Sequence, residues 1–336
     1  EMSGVTDLAD NSATDVSGSF TTGDAVDDTD GTVIYRTPLS QDTNIPLNAT
    51  VDMKLNERVD PATVTEETFR VYDYTNGQII PGSLSLSEGD TRITFTPTEA
   101  LVENSRYYIS MSNNYANPGA KFVNDLAGNN IGYHHTSYGD SYFTTGESAD
   151  ETLPVVQLVG IADGKTDMPL NTQLSFHFDE RIKTNSIISG ISLFDASDNL
   201  IASTQTISST RLTATLIPDE ALLANTTYHY EVTSVTDLAD NPIANTITGS
   251  FTTGSELDET EGTVLSRSPL SLDTNVPLNA TVDLKLSERI DPATVTEETF
   301  RLYDFTNGVT VPGTYSLSEG DTRIIFTPDE VLAENS

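Results

Sequence analysis

Apolar and polar residues alternate with a period of two along most of this chain. Val51, Met53 and Leu55 alternate with Asp52, Lys54 and Asn56, and Ile93 and Phe95 with Arg92, Thr94 and Thr96. This is the pattern of strands with one face buried and one solvated. The runs TVIY, ATVDMKL, TFRVYD, GSLSLS, TRITFTP, RYYISMS and SYFTTG follow one another, separated by the turn-forming stretches TNGQ, SEGD, NPG and AGN. Short strands at this spacing predict an all-β sandwich of seven strands. The one helical signal is DPATVTEET, with Asp60 as a cap and Pro61 at the first position, and it predicts a turn or two at most. Pro97, Pro218 and Pro328 are expected to end strands, because proline cannot donate to a ladder. Gly128 is expected at a positive φ.

The pattern repeats. Residues 31–105 recur at 262–336, an offset of 231 with about three quarters of positions identical, and VSGSFTTG at 16–23 recurs as ITGSFTTG at 247–254 with the same offset. Residues 153–254 are a more distant copy: MPLNTQLSFHFDERI answers IPLNATVDMKLNERV, and ISLFD answers FRVYD. With the close copies termed A and the distant one B, the chain reads as the tail of a B unit (1–23), a whole A (24–147), a whole B (148–254) and an A that stops short (255–336). Its first residue corresponds to Glu231 and its last falls just before the position of Tyr107 and Tyr228. Such ends are expected of an excerpt from a longer alternating array. The alternative is chains that complete one another by exchanging strands.

Composition narrows the chemistry. Fifty-one acidic against 16 basic side chains give a net charge of -35, with no cysteine, no tryptophan, four histidines and 36% apolar residues. Mean hydropathy is -0.28. The absent cysteines exclude zinc ribbons, iron-sulfur clusters and disulfide frameworks. The charge disfavours nucleic acid and anionic lipid and makes cations the natural partners. No run approaches the roughly 18 apolar residues of a membrane helix, and the first residues lack a signal-peptide layout. His134, His135, His177 and His229 stand in no recognisable nucleophile context, and paired carboxylates such as Glu66 and Glu67 carry little information in so acidic a chain, so no enzyme is expected.

The features PLNATVDMKLNERVDPATVTEETF, RITFTP, LVENSRYY, DLAGN and FTTG, in that order, resemble the bacterial immunoglobulin-like domains of S-layer proteins and large surface adhesins. The A insertions around NNYANPGAKF and GYHHTSYGD, the IKTNSI of B in place of VDPATV, and DLADN in place of DLAGN depart from a uniform pattern in loops alone. The resemblance implies an all-β chain of tandem immunoglobulin-like β-sandwich domains in a linear array. Leu101 with Tyr107, and Leu222 with Tyr228, then look like tyrosine corners, in which the ring hydroxyl bonds backbone a few residues upstream.

The candidate chemistry gathers at the joints. After each FTTG the chain passes through GDAVDDTDGT, GESADETLP or GSELDETEGT. Asp24, Asp27, Asp28 and Asp30 at the first joint, Glu147, Asp150 and Glu151 at the second, and Glu256, Asp258, Glu259 and Glu261 at the third offer the hard oxygens that calcium takes. A merely solvated acidic linker is the competing reading, and none of the three has EF-hand spacing. Asp125 and Asn129, and Asp237, Asp240 and Asn241, are explained by Asx side chains that cap their own turn, with a bound cation as the alternative. Glu57, Glu180 and Glu288, each followed by arginine, read as ion pairs at a strand end. The A insertions carry Tyr115, Phe122, Tyr133, His134, His135 and Tyr138 among asparagines. That cluster suits packing against a neighbouring domain or chain, and alternatively stacking on a glycan.

The function expected from these readings is structural: a repeat region of an extracellular or cell-surface bacterial protein, an adhesin stalk, fibre or surface layer, in which each unit adds on the order of 40 Å. Its partners are neighbouring domains of the same protein and, in a fibre, identical chains, with no membrane insertion. The alternatives are a filament subunit completed by strand donation and a carbohydrate-binding module.

Overall fold

The first unit folds as strands β1 (Val33–Thr37), β2 (Val51–Leu55), β3 (Arg70–Asp73), β4 (Gln78–Ile79), β5 (Gly82–Ser87), β6 (Arg92–Pro97), β7 (Arg106–Ser110) and β8 (Tyr142–Thr144) in a computed structural model that describes residues 1–112, 120–131 and 142–334. They form two four-stranded antiparallel sheets, ordered β1-β2-β6-β5 and β4-β3-β7-β8. Among the described residues the unit has eight strands rather than the expected seven. The extra one arises in TNGQ, where the Asp73 carboxylate accepts from the Asn76 N–H at 3.0 Å and from its Nδ2 at 2.7 Å, closing a turn tight enough to pair Asp73 with Gln78 and Tyr72 with Ile79.

The second unit repeats this plan with β9 (Val156–Val159), β10 (Lys165–Met168), β11 (Leu174–Phe178), β12 (Ile191–Asp195), β13 (Ser203–Ile207), β14 (Thr213–Pro218), β15 (Thr227–Val232) and β16 (Ile247–Thr253), ordered β9-β11-β14-β13 and β10-β16-β15-β12. Only β10 and β16 run parallel. Helix α1 (Thr184–Gly190) takes the place of the short 3-10 turn Pro61–Thr63, which Asp60 caps by accepting from the Ala62 N–H. The third unit contributes β17 (Val264–Ser268), β18 (Val282–Leu286), β19 (Leu302–Asp304), β20 (Val309–Val311), β21 (Gly313–Ser318) and β22 (Arg323–Pro328), ordered β17-β18-β22-β21 and β19-β20.

Alternation along the strands builds the cores. Val51, Met53, Leu55, Ile93 and Phe95 of one sheet meet Val71, Tyr107, Ile109 and Phe143 of the other, all at 2% exposure or less. Leu174, Phe176, Phe178, Ala214 and Leu216 meet Leu193, Tyr228, Tyr230 and Phe251 in the second unit. In the third, Ile324 and Phe326 are buried but Val282, Leu284 and Leu286 only half so. Both tyrosine corners form: the Tyr107 hydroxyl accepts from the Val102 N–H at 2.7 Å and that of Tyr228 from the Leu223 N–H at 2.9 Å. Gly128 adopts φ 91°. Residues 1–23, expected as strands, are instead exposed throughout and carry only the isolated bridges Met2–Val16 and Thr6–Ser12. Among the described residues, no helix is long and apolar enough to cross a membrane.

Candidate metal centres at the domain junctions

Three features that read as independent in the sequence converge in each complete unit. The first is a junction aspartate followed two residues later by threonine. Asp27 Oδ1 accepts from the Thr29 N–H at 3.1 Å and its hydroxyl at 2.8 Å, and Asp150 and Asp258 make the same turn with Thr152 and Thr260. The second is the glutamate of the ER pair, two residues beyond β2 or β11. The third is the DLAxN aspartate, whose Oδ1 accepts two backbone N–H groups, from Ala127 and Asn129 to Asp125 and from Ala239 and Asn241 to Asp237, all at 2.8 Å. The fold joins them with backbone. Val59 bridges Asp125 and Ile182 bridges Asp237, which sets loop beside glutamate. Asn129 Nδ2 donates to the Asp27 carbonyl at 3.1 Å and Asn241 Nδ2 to that of Asp150 at 3.0 Å, which brings in the junction.

Two carboxylate triads result, Asp27–Glu57–Asp125 and Asp150–Glu180–Asp237, each offering one oxygen per residue with all three within 4.8 Å of one another. Gly31 leaves room for the first, since a Cβ there would lie 2.7 Å from Glu57 Oε1, and Gly262 does the same for Glu288 at 2.9 Å. The crowding of charge is visible in the acidities. Burial, then the neighbouring Asp150 and Asp237, pushes Glu180 up to about 7. Burial with Asp27 and Asp125 raises Glu57, and burial raises Asp237 against the hydrogen bonds from Asn241 and Ala239. Bonds from Thr29 lower Asp27, and those from Thr152 lower Asp150 despite its burial. Proton or cation must offset like charges held this close. The third unit brings Asp258 and Glu288 together through the Thr260 hydroxyl, which donates to both.

Of the eleven junction carboxylates singled out in the sequence, Asp27 and Asp150 enter triads and Asp258 takes the matching place in the third unit. Asp24, Asp28, Asp30, Glu147, Glu151, Glu256, Glu259 and Glu261 lie exposed outside them. The ER residues do not pair with each other. Glu57 and Glu180 turn to their triads and Glu288 to the Thr260 hydroxyl, while Arg58 pairs with Asp90 at 2.9 Å and Arg181 donates to the Thr43 and Asn44 carbonyls of the preceding unit at 3.0 and 2.6 Å. The Asx capping expected of DLAGN and DLADN is present, and Asp7 of the N-terminal tail makes the same loop alone. Of the aromatic cluster, Phe122 is half-buried and bridged to Ser112. Tyr115, Tyr133, His134, His135 and Tyr138 lie outside the described residues.

The second triad sits in a joint whose contacts recur at the next. Asn48 of the first unit grips Asp150, donating to its carbonyl at 2.8 Å and accepting from its N–H at 2.9 Å, and Asn171 of the second unit grips Asp258 likewise at 2.7 and 3.0 Å. Leu47 N–H donates to the Ser148 carbonyl and Leu170 N–H to that of Glu256, both at 3.0 Å. Leu238, in the DLADN loop, is 2% exposed and belongs to the core cluster of the first unit, not its own.

The family described as bacterial Ig-like domain matches residues 27–145, 150–253 and 258–336. This chain belongs to that family. Three tandem bacterial Ig-like repeats therefore account for nearly all of it. Among solved structures, the Ig-like chain is similar to CopC from Methylosinus trichosporium OB3b, with 10% identity and a TM-score of 0.24 over 32% of this chain and 99% of that one. It is also similar to the N-terminal part of the bacterial S-layer protein SbsC, with 14% identity and a TM-score of 0.25 over 66% and 44% of the two chains. A longer SbsC structure, rSbsC(31-844), gives 12% and 0.25 over 92% of this chain and 52% of that one. No protein of curated function matches.

Proposed function

We propose that these repeats form a structural segment of a secreted or cell-surface bacterial protein, an adhesin stalk, fibre or surface layer, and that they supply reach and stiffness. The observation that carries this reading is the recurrence of one set of docking contacts at both joints, with asparagine gripping the following aspartate and leucine donating to the following linker. Equivalent contacts fix each unit on the last in the same way, so length grows with copy number.

The same proposal gives calcium a place in the triads. Three carboxylates from distant parts of each unit supply part of the six to eight oxygens the ion takes, with carbonyls and water completing the set. An ion there would tie the linker aspartate to the DLAxN loop and remove the repulsion between carboxylates, so that bound calcium stiffens the joint. The test is small-angle X-ray scattering of the chain with calcium and with a chelator, beside thermal melting. The proposal expects a longer, narrower distance distribution and a raised melting point with calcium. Identical profiles and melting points would reduce the triads to solvated carboxylates. A scattering mass above that of one chain would instead support strand donation between copies.

A further inference from the structure

The second unit holds four basic side chains, Lys165, Arg181, Lys183 and Arg211, in residues 148–254. Every one of them reaches a neighbouring unit. Arg181 binds Thr43 and Asn44 carbonyls. Arg211 pairs with Asp42 at 2.7 Å, Lys183 with Asp52 at 2.8 Å, and Lys165 with Asp321 at 3.3 Å. In a domain this acidic, charge confined to the two ends is a property of the joints.

The positions involved are equivalent from unit to unit. Residues 27–60 align with 150–183 without a gap, which places Lys165 at the position of Asp42, Ser175 at that of Asp52, and Lys183 at that of Asp60. Backbone geometry agrees. The N–H groups of Asp42, Lys165 and Asp273 each donate to the carbonyl three residues back at 3.3 Å. Asp90, Arg211 and Asp321 share φ of 67°, 64° and 69°, and their carbonyls accept from Val59, Ile182 and Ile290. Each unit therefore has a two-residue downstream face and a two-residue upstream face. Downstream these are Asp42 and Asp52 in the first unit, Lys165 and Ser175 in the second, and Asp273 and Asp283 in the third. Upstream they are Asp60 and Asp90, Lys183 and Arg211, and Asp291 and Asp321.

At the first joint, acidic downstream meets basic upstream. At the second joint the signs reverse: Lys165 meets Asp321, and Asp291 lies against Ser175, where Gly160 makes room for it, since a Cβ there would stand 2.1 Å from Asp291 Oδ1. We infer that these faces are a pairing key, by which an A unit docks only a B unit and a B unit only an A unit. Two A units in succession would set Asp against Asp at both positions, one of them where Lys183 is now fully buried. Two B units would set Lys165 against Arg211 and leave Lys183 with its own unit's Asp240 but no carboxylate across the joint. The A-type face of the third unit, where the Asp283 side chain is 24% exposed against 2% for Asp52, is by the same rule a seat for a B unit.

The key is tested in the full chain by rewriting one side of the first joint and then the other. K183D/R211D/D240G turns the upstream face of the second unit into an A face, since the DLAGN loop of an A unit has Gly128 where DLADN has Asp240 beside Lys183, and T37G/D42K/D52S turns the downstream face of the first into a B face, with Thr37→Gly supplying the space of Gly160. Each set alone is expected to raise cleavage by a glutamate-specific protease at Glu147 and Glu151 at least about tenfold, the scale of a broken buried pair. The two sets combined recreate the second joint's chemistry, and cleavage is expected to return to within about twofold of the parent. Either set leaving cleavage unchanged overturns the inference. So does failure of the combination to restore it. Should one set unfold its own unit, circular dichroism will report it, and the combined variant still decides.

Discussion

The Lys183 ammonium of the second unit lies 2.8 Å from the Asp52 carboxylate of the first, with neither side chain more than 2% exposed. Asp240 and the Thr50 hydroxyl complete the ammonium's contacts, and Arg92 shares the carboxylate at 2.8 Å. Removing one partner leaves the other charged and dry. Lys183→Met is expected to destabilise the joint by about 3 kcal/mol, because Asp52 keeps Arg92 but stays dry, while D52N/K183M costs less because the dry carboxylate goes with the ammonium and Arg92 and Asp240 are partly exposed. Denaturant titration of the single and double variants checks this. Equal losses would mean that the pair adds nothing beyond the two side chains' packing.

The same pair sets an acid limit. Burial alone would raise Asp52, but Lys183 and Arg92 hold it below the ordinary 3.8. A depressed carboxyl contributes stability that is complete above the unfolded value and lost as pH falls through the lower folded one. Melting followed from pH 4 down to pH 2.5, below the range in which Glu180 titrates, is expected to fall, and D52N is expected to fall less steeply. Parallel acid limbs in the two proteins would assign the loss to other carboxylates.

Leu238 and Leu126 occupy the same place in their loops but not in the molecule. Leu238 is 2% exposed against the preceding unit, whereas Leu126 is 59% exposed. Leu238→Ala is expected to cost about 2–5 kcal/mol through the cavity it opens, and Leu126→Ala less than about 0.5 kcal/mol. Comparable melting shifts would show that the knob does not couple the units.

The strands, the tyrosine corners and the capped DPAT turn were legible because each is written within a few neighbouring residues. The triads were not. Asp150, Glu180 and Asp237 are far apart in sequence, and each has a sufficient local explanation: a linker, a strand end, an Asx turn. What joins them is pairing such as Ile182 with Asp237, which depends on sheet register. One signal was available, since D-x-T, ER and DLAxN recur in the same order in both complete units. The pairing key was hidden differently. Lys165, Lys183 and Arg211 read as departures of a distant copy from its relative, and only the facing residues of the neighbouring units give those departures meaning.

Calcium binding at the second triad should be linked to protons. Glu180, raised to about 7 from an ordinary 4.5, is largely protonated at pH 6. Without a cation, its raised value contributes stability that is complete below pH 4.5 and lost as pH rises through about 7. An ion that takes the carboxylate displaces that proton. Calorimetric titration at pH 6 in two buffers of different ionisation enthalpy is expected to give different apparent heats of calcium binding, and Glu180→Gln to remove much of the difference while weakening binding. Identical heats in both buffers, with binding intact, would place the ion elsewhere.

Gly160 has no positive φ to justify it, so its role is space. A Cβ at this position would stand 2.1 Å from Asp291 Oδ1 and 2.6 Å from its Cγ, and Asp291 cannot easily withdraw because the same carboxylate accepts the Ala293 N–H at 2.9 Å to cap the turn Pro292–Thr294. Gly160→Ala must therefore push the third unit away or break the cap, at an expected cost of about 1–3 kcal/mol to the second joint. The first joint, where Thr37 stands at the matching position, should be unaffected. Protease cleavage compared at Glu256 and Glu259 of the second joint and at Glu147 and Glu151 of the first reads the two separately. A rise confined to the second joint is the expected result, and no rise there would mean that Asp291 does not seat against Gly160 in solution.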